Sequence, residues 1–389
     1  MQKSECGDFP LTDEVRLCMV ETVNQLVLEN FPFATQKGVD LKEFSKDLHS
    51  LLALDLDDFD FVIEMSRTIS TLRDGHTRLE RFRLGAKTGK APVDYRLVGD
   101  RVLITAVFDD GLGVEVGDEI VAIEDRPARE YLQLSAALYE VEFNKLTQMH
   151  GPSGLLDGPA DSVLKLEIAG RGEVQMRRRF HLPSPSSNRF GDIGYINVST
   201  FGFIDDLDRL DGKLNELMET SALIIDLRGN GGGYPSVTDG LFGRLIDSDV
   251  PGFDMVDVRG KHKRTMHSKP RGETYDKPVV VLTDPRTYSA SNYFAQRLVY
   301  HGRGMLIGER TGGGSASPEQ GAMLVPGVWF QVSTYVVQTP EGVNAEEGID
   351  PDIEVEYRPD DGGQGLVSHE LPAGDRVLSE AIRYLEKTK

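Results

Sequence analysis

The chain has 389 residues, of which 39% are hydrophobic, and a formal net charge of −20. This length accommodates two or three globular domains, and the composition excludes disordered and fibrous proteins. The acidic excess argues against nucleic acid or an anionic membrane surface as partners, because both are bound by clustered Lys and Arg.

The sequence contains two cysteines, Cys6 and Cys18. Two cysteines cannot build a disulfide framework or a thiolate metal site. The opening residues lack the apolar segment of a signal peptide, and no stretch approaches the length of a membrane span. These features predict a soluble, cytoplasmic protein without a membrane span.

Residues 9–80 are predicted to form a small helical bundle. Thr12 and Asp13 are typical caps of a first amphipathic helix, and a second one is predicted over 57–72. The second helix ends at the segment Asp-Gly-His-Thr of 74–77, where the glycine permits the backbone conformation that stops a helix. His76 is therefore expected on a turn.

Residues 90–182 change to short strands separated by Gly and Asp turns, which predicts a small β-rich domain. Its segment 111–128 resembles the carboxylate-binding loop and strand of a PDZ-like domain. Such domains bind a peptide as an added edge strand. A simple β-hairpin is the alternative reading.

Residues 183–188 are typical of a linker, and residues 189–389 then alternate strands with helices. Strands are expected at 193–198, 222–227 and 279–282, with helices at 207–217, 290–300 and 375–385. This alternation predicts an α/β core.

Ser289 lies at the predicted turn between a buried strand and a helix. Backbone N–H groups and the helix dipole favour negative charge at such a place, as a nucleophile requires. Helix capping by Thr287 or Ser289 is the simpler reading of this turn taken alone.

A second candidate element is the run of three glycines at 231–233, directly after a buried strand. Glycines let the backbone approach a substrate and present N–H groups. With the amide of Ala290, these groups would form an oxyanion hole. A phosphate-binding loop is the rival, but the Gly-Lys-Ser/Thr ending that it needs is missing.

A serine nucleophile also needs a base. No lysine occurs between Lys277 and Lys387, which argues against a lysine base from the segment that follows Ser289. His301 lies about 18 Å along the same helix and cannot reach the hydroxyl. His76 has no such restriction, although a lone histidine at a helix end is more often a surface residue.

Six motifs occur in order along the chain: DGHT at 74–77, GDIGYINVSTF at 191–201, DLRGNGGG at 226–233, TYSASNYF at 287–294, GERTGGG at 308–314 and EEGIDPDIEV at 346–355. Together they resemble the tail-specific, C-terminal-processing serine peptidases and their tricorn-like and interphotoreceptor retinoid-binding-protein-like relatives. The resemblance implies an α/β fold with a ClpP/crotonase-like catalytic core, an N-terminal helical bundle and a PDZ-like domain.

The resemblance also implies roles for individual residues. The family's nucleophile corresponds to Ser289, with Ser291 outside the chemistry. Its oxyanion donors correspond to the amide of Ala290 and to that of Gly232 or Gly233.

The resemblance further indicates which branch of the family fits. Gly314 occupies the position of the base in the lysine-dependent branch, so the tricorn-like branch fits better, and its histidine corresponds to His76. That branch also uses a glutamate, which corresponds to Glu346 or Glu347, with Glu346 ranked slightly ahead. A solvated acidic loop is the alternative for this pair.

Two positions depart from the family pattern. Gly75 stands where the tricorn pattern has a serine, and Asn292 stands where a glutamate is common. Both departures favour a rival class, a binding protein that holds a hydrophobic ligand or peptide without cleaving it. A biosynthetic acyl-transfer enzyme is a third reading, since it shares the first half of the chemistry.

The predicted function is a serine peptidase that hydrolyses peptide bonds in polypeptides, with processing of carboxyl ends favoured. Ser289 would attack the carbonyl and His76 would act as general base. No metal or organic cofactor is predicted, because the eight histidines show no metal-ligand spacing. The expected partner is a polypeptide substrate, and a homo-oligomer is possible.

Overall fold

The computed structural model describes residues 5–81, 88–107, 109, 111–136, 156, 158–179, 185–202, 205–356, 358 and 374–388. The α-helices in these ranges are α1 (Asp13–Asn30), α2 (Leu41–Ser50), α3 (Asp58–Ser70), α4 (Ala128–Ala136), α5 (Asp206–Asn215), α6 (Pro235–Gly243), α7 (Ala290–Tyr300) and α8 (Arg376–Lys387).

The strands in the same ranges are β1 (Arg78–Arg81), β2 (Thr88–Gly89), β3 (Val93–Val98), β4 (Arg101–Val107), β5 (Glu119–Ile123), β6 (Arg126–Pro127), β7 (Gly158–Pro159), β8 (Val163–Ile168), β9 (Gly172–Arg177), β10 (Ser186–Phe190), β11 (Ile193–Asn197), β12 (Ala222–Asp226), β13 (Val250–Asp257), β14 (His262–Ser268), β15 (Val279–Thr283), β16 (Met305–Gly308), β17 (Ala316–Ser317), β18 (Gln320–Val325), β19 (Val328–Val332), β20 (Tyr335–Gln338) and β21 (Ile353–Glu354).

The central sheet has the order β10-β11-β12-β15-β16-β21, and all its neighbours except β10 and β11 pair in parallel. Strand β12 is buried throughout because both faces of the sheet are covered. Leu223 and Ile225 pack with α5, α6 and α7, whereas Ala222 and Ile224 pack with α8. The predicted α/β core is thereby confirmed.

Strand β10 corrects one prediction about the chain. Residues 183–188 read as a linker, but Ser186 already pairs with Asn197 in the central sheet. The polar composition of this segment suits a strand at the edge of the sheet, where its side chains stay partly exposed.

The N-terminal helices share a hydrophobic core with strands from the far end of the chain. Residues of α1 and α3 cluster with Leu324, Phe330 and Val332 of β18 and β19. Strand β1 follows α3 after the His76 turn and pairs antiparallel with β19, with Arg78 opposite Gln331. This pairing fixes the turn that carries His76 against β19, which lies in the sequence between β16 and β21 of the central sheet.

A separate antiparallel sheet of order β3-β4-β5-β8-β9 lies between these parts in the sequence, with β6 paired to β5. Its buried side chains and those of α4 form one cluster that also includes Tyr288 of the α/β core. The segment 111–128 supplies β5, its preceding turn and β6 to this sheet. The PDZ-like character of this part stays a prediction.

A disulfide joins Cys6 to Cys18, which the cysteine count alone did not predict. The backbone N–H groups of Glu5 and Cys6 donate to the carbonyl oxygens of Met323 and Leu324, so the segment before α1 is held on β18. Across the described ranges, no helix combines the length and the apolar character needed to cross a bilayer.

Candidate active site

Ser289 occupies the turn between β15 and α7, as its position in the sequence predicts. Its backbone has φ 57° and ψ −124°, a conformation that non-glycine residues rarely adopt. Its N–H donates to the carbonyl oxygen of Gly313, and the residue is partly exposed between the buried Tyr288 and Ala290. The turn therefore holds the Ser289 hydroxyl at an accessible position beside the N-terminus of α7.

Buried hydrogen bonds hold this turn against the glycine segment that follows β12. The Asp284 carboxylate accepts from the N–H of Gly229 at 3.0 Å and from Arg286. The Thr287 hydroxyl donates to the Leu227 carbonyl oxygen at 3.0 Å, and the Tyr288 N–H donates to that of Asn230. The sequence analysis considered Thr287 as a helix cap, whereas its hydroxyl connects the serine turn to the segment after β12.

The imidazole of His76 meets the Ser289 hydroxyl. Its Nε2 lies 2.8 Å from Ser289 Oγ, across 213 positions of sequence. The backbone N–H of His76 donates to the Asp74 carboxylate, and the side-chain amide of Gln331 donates to the His76 carbonyl oxygen at 3.0 Å. The turn predicted at the end of α3 thus brings this histidine to the serine.

Burial determines the charge of the base. It lowers the pKa of the His76 imidazole to about 4; the Asp74 charge opposes this shift, and the charges of Arg78 and Lys37 add to it. At neutral pH the imidazole is therefore uncharged, the form in which Nε2 can accept the proton of a serine hydroxyl.

Two of the three predicted oxyanion donors have N–H groups that are available. Within the described residues, the N–H groups of Ala290 and Gly233 have no hydrogen-bond acceptor. The N–H of Gly232 instead donates to the Asn230 side-chain oxygen at 2.9 Å. This favours Gly233 over Gly232 as the partner of Ala290.

Gly232 has a packing role at the same place. A Cβ added to it would lie 2.8 Å from Ser289 Cβ and 2.9 Å from the Ala290 nitrogen. Its φ of 100° also suits glycine. The absence of a side chain lets the glycine segment pack directly against the serine turn.

Glu346 is buried close to the site, but its carboxylate contacts other groups than the imidazole. Its Oε1 lies 2.7 Å from the Lys37 ammonium, and its Oε2 accepts from the Ser315 N–H at 2.7 Å. Burial raises the pKa of Glu346 to about 7; the Lys37 charge opposes the rise, and the Asp74 charge adds to it. The structure therefore links Glu346 directly to Lys37.

Glu347 differs from Glu346 in its exposure. Its side chain is 51% exposed and lies 3.9 Å from the Lys37 ammonium, whereas the side chain of Glu346 is 2% exposed. Of the two predicted carboxylates, Glu346 is the one that belongs to the buried surroundings of the site.

Lys37 is a charged residue of these surroundings that sequence reasoning missed. It lies in the loop between α1 and α2 and donates to the Arg73 carbonyl oxygen at 2.7 Å. Burial acts to lower the pKa of its ammonium, but the charges of Glu346 and Asp74 outweigh burial and raise it. A single lysine in a loop carries no sequence signal that would predict this position.

The two departures from the family pattern have defined surroundings. Asn292 on α7 donates to the Ala345 carbonyl oxygen at 3.1 Å and accepts from the Thr311 hydroxyl at 2.7 Å. It therefore joins α7 to the loop that carries Glu346. The Gly75 carbonyl oxygen accepts from the Arg78 guanidinium at 2.6 Å.

A histidine nitrogen in contact with a serine hydroxyl, beside backbone N–H groups at a helix N-terminus, is the arrangement that serine hydrolases use for acyl transfer. No cluster of three or more His, Cys, Asp or Glu side chains in the described ranges is placed to hold a metal ion.

Comparison with known proteins agrees with this class. Residues 192–355 match the sequence profile of Peptidase family S41. The carboxy-terminal processing protease CtpB of Bacillus subtilis is 27% identical over 201 residues, which cover 50% of this chain and 40% of the relative. Tricorn protease homolog 1 of Streptomyces coelicolor is 25% identical over 305 residues, which cover 72% of this chain and 25% of the relative. The matches therefore span less than half the length of these relatives.

Solved structures show the same fold over nearly the whole chain. The photosystem II D1 C-terminal processing protease superposes with a TM-score of 0.58 at 19% identity, covering 88% of this chain and 93% of its own. Mature CPAF superposes with a TM-score of 0.62 at 16% identity and covers 96% of both chains. The predicted fold class is confirmed by these similarities.

Proposed function

We propose that this protein is a serine peptidase that hydrolyses peptide bonds in polypeptides and processes their carboxyl ends. The observation that carries the proposal is the 2.8 Å contact between His76 Nε2 and Ser289 Oγ. The Peptidase family S41 match over 192–355 supports it, as do relatives named for carboxy-terminal processing.

The first half of the reaction follows from the geometry. His76 Nε2 takes the hydroxyl proton while Ser289 Oγ forms a bond to the carbonyl carbon of the scissile peptide. The N–H groups of Ala290 and Gly233 stabilise the negative charge on the carbonyl oxygen. The resulting imidazolium then gives its proton to the amine as the C–N bond breaks, which leaves an acyl group on Ser289.

The second half uses the same groups with water as the nucleophile. His76 takes a proton from water while the water oxygen attacks the acyl carbon. Collapse of the second tetrahedral intermediate breaks the bond to Ser289 Oγ, and the serine recovers its proton from His76. The buried imidazole can serve in both directions because it is neutral between steps.

A labelling experiment tests the nucleophile. A fluorophosphonate probe should modify the wild-type protein on Ser289, and the wild-type protein should cleave casein. Both the labelling and the cleavage should be lost in Ser289→Ala. We expect that loss to reach about 10⁴-fold or more. Ser291→Ala is the matched control, because its hydroxyl is buried on α7 one residue beyond the amide of Ala290.

The outcomes separate the rival classes. Labelling that persists in Ser289→Ala would mean that another residue is the nucleophile. A probe-labelled protein that cleaves no polypeptide but transfers an acyl group to an added amine would be an acyl-transfer enzyme. A protein that binds peptides with neither labelling nor cleavage would be a binding protein.

Carboxyl-end processing makes a separate prediction about substrates. Two peptides of the same sequence, one with a free carboxylate and one with a C-terminal amide, should differ in the rate of cleavage. We expect the free carboxylate to be preferred, because a PDZ-like domain binds a terminal carboxylate through backbone amides. Equal rates would leave a general endopeptidase.

The Cys6–Cys18 disulfide bears on cellular location. Disulfides persist in oxidising compartments and are rare in the cytosol, where thiols are kept reduced. We propose on this ground that the protein functions in an oxidising compartment, in contrast to the cytoplasmic location predicted from the sequence. Fractionation of the source cells followed by thiol labelling tests this, and free thiols at both positions would contradict it.

A further inference from the structure

Tyr288 directly precedes the candidate nucleophile, and its phenol lies at the other nitrogen of the base. Its oxygen is 3.3 Å from His76 Nδ1, while Nε2 of the same ring contacts Ser289. The two rings stack with their centroids 5.1 Å apart and their planes 22° from parallel. The Tyr288 hydroxyl is therefore within hydrogen-bonding distance of the ring nitrogen that does not contact Ser289.

The phenol keeps its proton at neutral pH. Burial and then the charges of Glu346 and Asp74 raise its pKa well above the ordinary value, with Arg78 opposing them. A protonated phenol oxygen still has lone pairs and can accept a hydrogen bond. When Nε2 of a neutral imidazole accepts from Ser289, Nδ1 carries the hydrogen and is the donor toward Tyr288.

The ring of Tyr288 fits only because residue 314 is glycine. A Cβ added to Gly314 would lie 2.5 Å from Cε2 and Cζ of the tyrosine ring. Gly314 is the position that corresponds to the base of the lysine-dependent branch. The phenol therefore occupies space that any side chain at 314 would need.

The Tyr288 phenol also supplies a hydroxyl that Gly75 cannot supply. The tricorn pattern has a serine there, and Gly75 has no side chain to place beside the imidazole. In the described part of the chain, the Asp74 carboxylate accepts from the backbone N–H of His76 and from the hydroxyls of Thr77 and Ser333, and none of these groups belongs to the imidazole ring. Tyr288 is thus the hydroxyl that the structure places at Nδ1.

We infer that Tyr288 is the positioning residue of the base: its phenol oxygen accepts the Nδ1–H of His76 and so keeps Nε2 bare toward Ser289. The inference rests on the proposed function. During attack the serine proton moves to Nε2 and Nδ1 keeps its hydrogen, so the phenol accepts a stronger, charge-assisted hydrogen bond from the imidazolium. Tyr288 itself neither gains nor loses a proton.

Tyr288→Phe tests this inference, because it keeps the ring that fills the space beside Gly314 and removes only the oxygen. We expect kcat on a peptide substrate to fall about 10- to 100-fold, with KM within about threefold, since the base loses its fixed tautomer. The ¹⁵N spectrum of histidine-labelled protein gives a readout independent of activity. The wild-type His76 signal, assigned by its loss in His76→Gln, should show the Nδ1–H tautomer, and Tyr288→Phe should show a mixture.

Tyr275→Phe is the matched control. Tyr275 is fully buried, and its hydroxyl contacts Thr220 within the α/β core. Tyr275→Phe also removes a buried phenol oxygen. If the loss of kcat in Tyr288→Phe came only from a weakened structure, Tyr275→Phe should lose kcat as well. We expect Tyr275→Phe to leave both kcat and the His76 tautomer unchanged.

Failure of this inference is distinguishable from failure of the proposed function. If wild-type protein labels on Ser289 but Tyr288→Phe keeps the wild-type kcat and the pure Nδ1–H signal, Tyr288 is not the positioning residue. If the wild-type protein shows neither labelling nor cleavage, the proposed function fails, and the His76 tautomer still decides whether the phenol fixes the imidazole.

Discussion

The imidazole of His76 is buried, and burial sets the pH range in which it can act as a base. Because its pKa is lowered to about 4, it stays neutral at pH 5–6, where an ordinary histidine is largely protonated. As pH falls through the lowered pKa, the base becomes protonated and activity is lost. We therefore predict that the acid limb of kcat/KM lies near pH 4–5, measured with a peptide substrate between pH 4 and 8.

Circular dichroism at each pH is the control for this profile, because a loss of fold would also remove activity. A half-maximal rate near pH 6.5 with the fold intact would contradict the prediction. It would show that solvent reaches the imidazole or that another group controls the limb. Glu346 is the group to examine then, because burial raises its pKa to about 7.

Gly232 supports the site through its lack of a side chain. Its added Cβ would contact Ser289 Cβ and the Ala290 nitrogen at less than 3.0 Å, so the serine turn or the glycine segment must shift. We predict that Gly232→Ala lowers the rate of fluorophosphonate labelling at Ser289 by about 100-fold or more, as a displaced oxyanion donor does. The measurement is the second-order labelling rate.

Gly231→Ala is the control for this prediction. A Cβ at Gly231 would meet no heavy atom within 4 Å. We expect its free energy of unfolding to stay within about 0.5 kcal/mol of the wild-type value. If both alanine variants label at the same rate, the close packing of Gly232 is unimportant for the chemistry.

The element that carries the base is the turn between α3 and β1, and the Asp74 carboxylate organises it. It accepts from the His76 N–H at 3.2 Å, the Thr77 hydroxyl at 2.5 Å and the Ser333 hydroxyl at 2.6 Å. Two of these bonds hold the turn itself, and the third ties it to the loop after β19. The carboxylate thus fixes the position of the turn that places the imidazole beside Ser289.

We predict that Asp74→Ala lowers kcat at least about tenfold and also lowers the melting temperature. Alanine leaves the buried donors of Thr77 and Ser333 without their acceptor, and each unsatisfied group costs about 1–3 kcal/mol. Steady-state kinetics and thermal unfolding measure the two effects. Ser333→Ala removes only one of the three bonds, so its losses should be smaller; equal losses would mean that the turn depends on Ser333 alone.

The element that carries the nucleophile, β15 with its turn and α7, is joined to the segment after β12 by Asp284 and Thr287. Parallel strands end at the same edge of a sheet, and β12 and β15 are neighbours. A strand followed by glycines and a strand followed by serine therefore meet at one edge. This is why the sequence could predict that Ser289 and the glycine amides face a common space.

At the scale of the whole molecule, the α/β core was predictable because its signals are local. Buried strands of four or five apolar residues alternate with amphipathic helices, and both patterns depend on neighbouring positions only. The same holds for the helix cap at Thr12, whose hydroxyl accepts from the Val15 N–H. Helix α2 was missed, although Asp40 caps it by accepting from the Lys42 and Glu43 N–H groups.

Contacts between distant parts of the chain were not predictable in the same way. Lys37 reaches Glu346, and Tyr288 packs in the core of the β3-β4-β5-β8-β9 sheet, without any pattern in the sequence around either residue. The proximity of His76 to Ser289 was inferred only from the need for a base and from the family resemblance. Such contacts depend on tertiary packing, which the pattern of a single sequence does not reveal.

The C-terminal helix α8 is held to the core through a buried ion-pair network at the start of the glycine segment. Arg228 forms hydrogen bonds with both carboxylate oxygens of Asp226 and both of Asp375, at 2.6–2.9 Å. Asp375 is also the N-cap of α8 and accepts from the Leu378 N–H. One guanidinium thus joins β12, the segment leading to Gly233 and the last helix.

We predict that Arg228→Leu lowers the free energy of unfolding by about 3–5 kcal/mol, because it leaves two buried carboxylates without their cation. Urea unfolding at neutral pH measures the loss. Arg383→Ala is the control, because it breaks an exposed ion pair with Glu380 on the same helix. It should lower the free energy of unfolding by less than about 1 kcal/mol. If Arg228→Leu does not fold, Asp375→Asn weakens the network while keeping an oxygen that can cap α8. Unchanged stability in both variants would mean that α8 is held by its apolar face alone, through Leu378, Ile382 and Leu385.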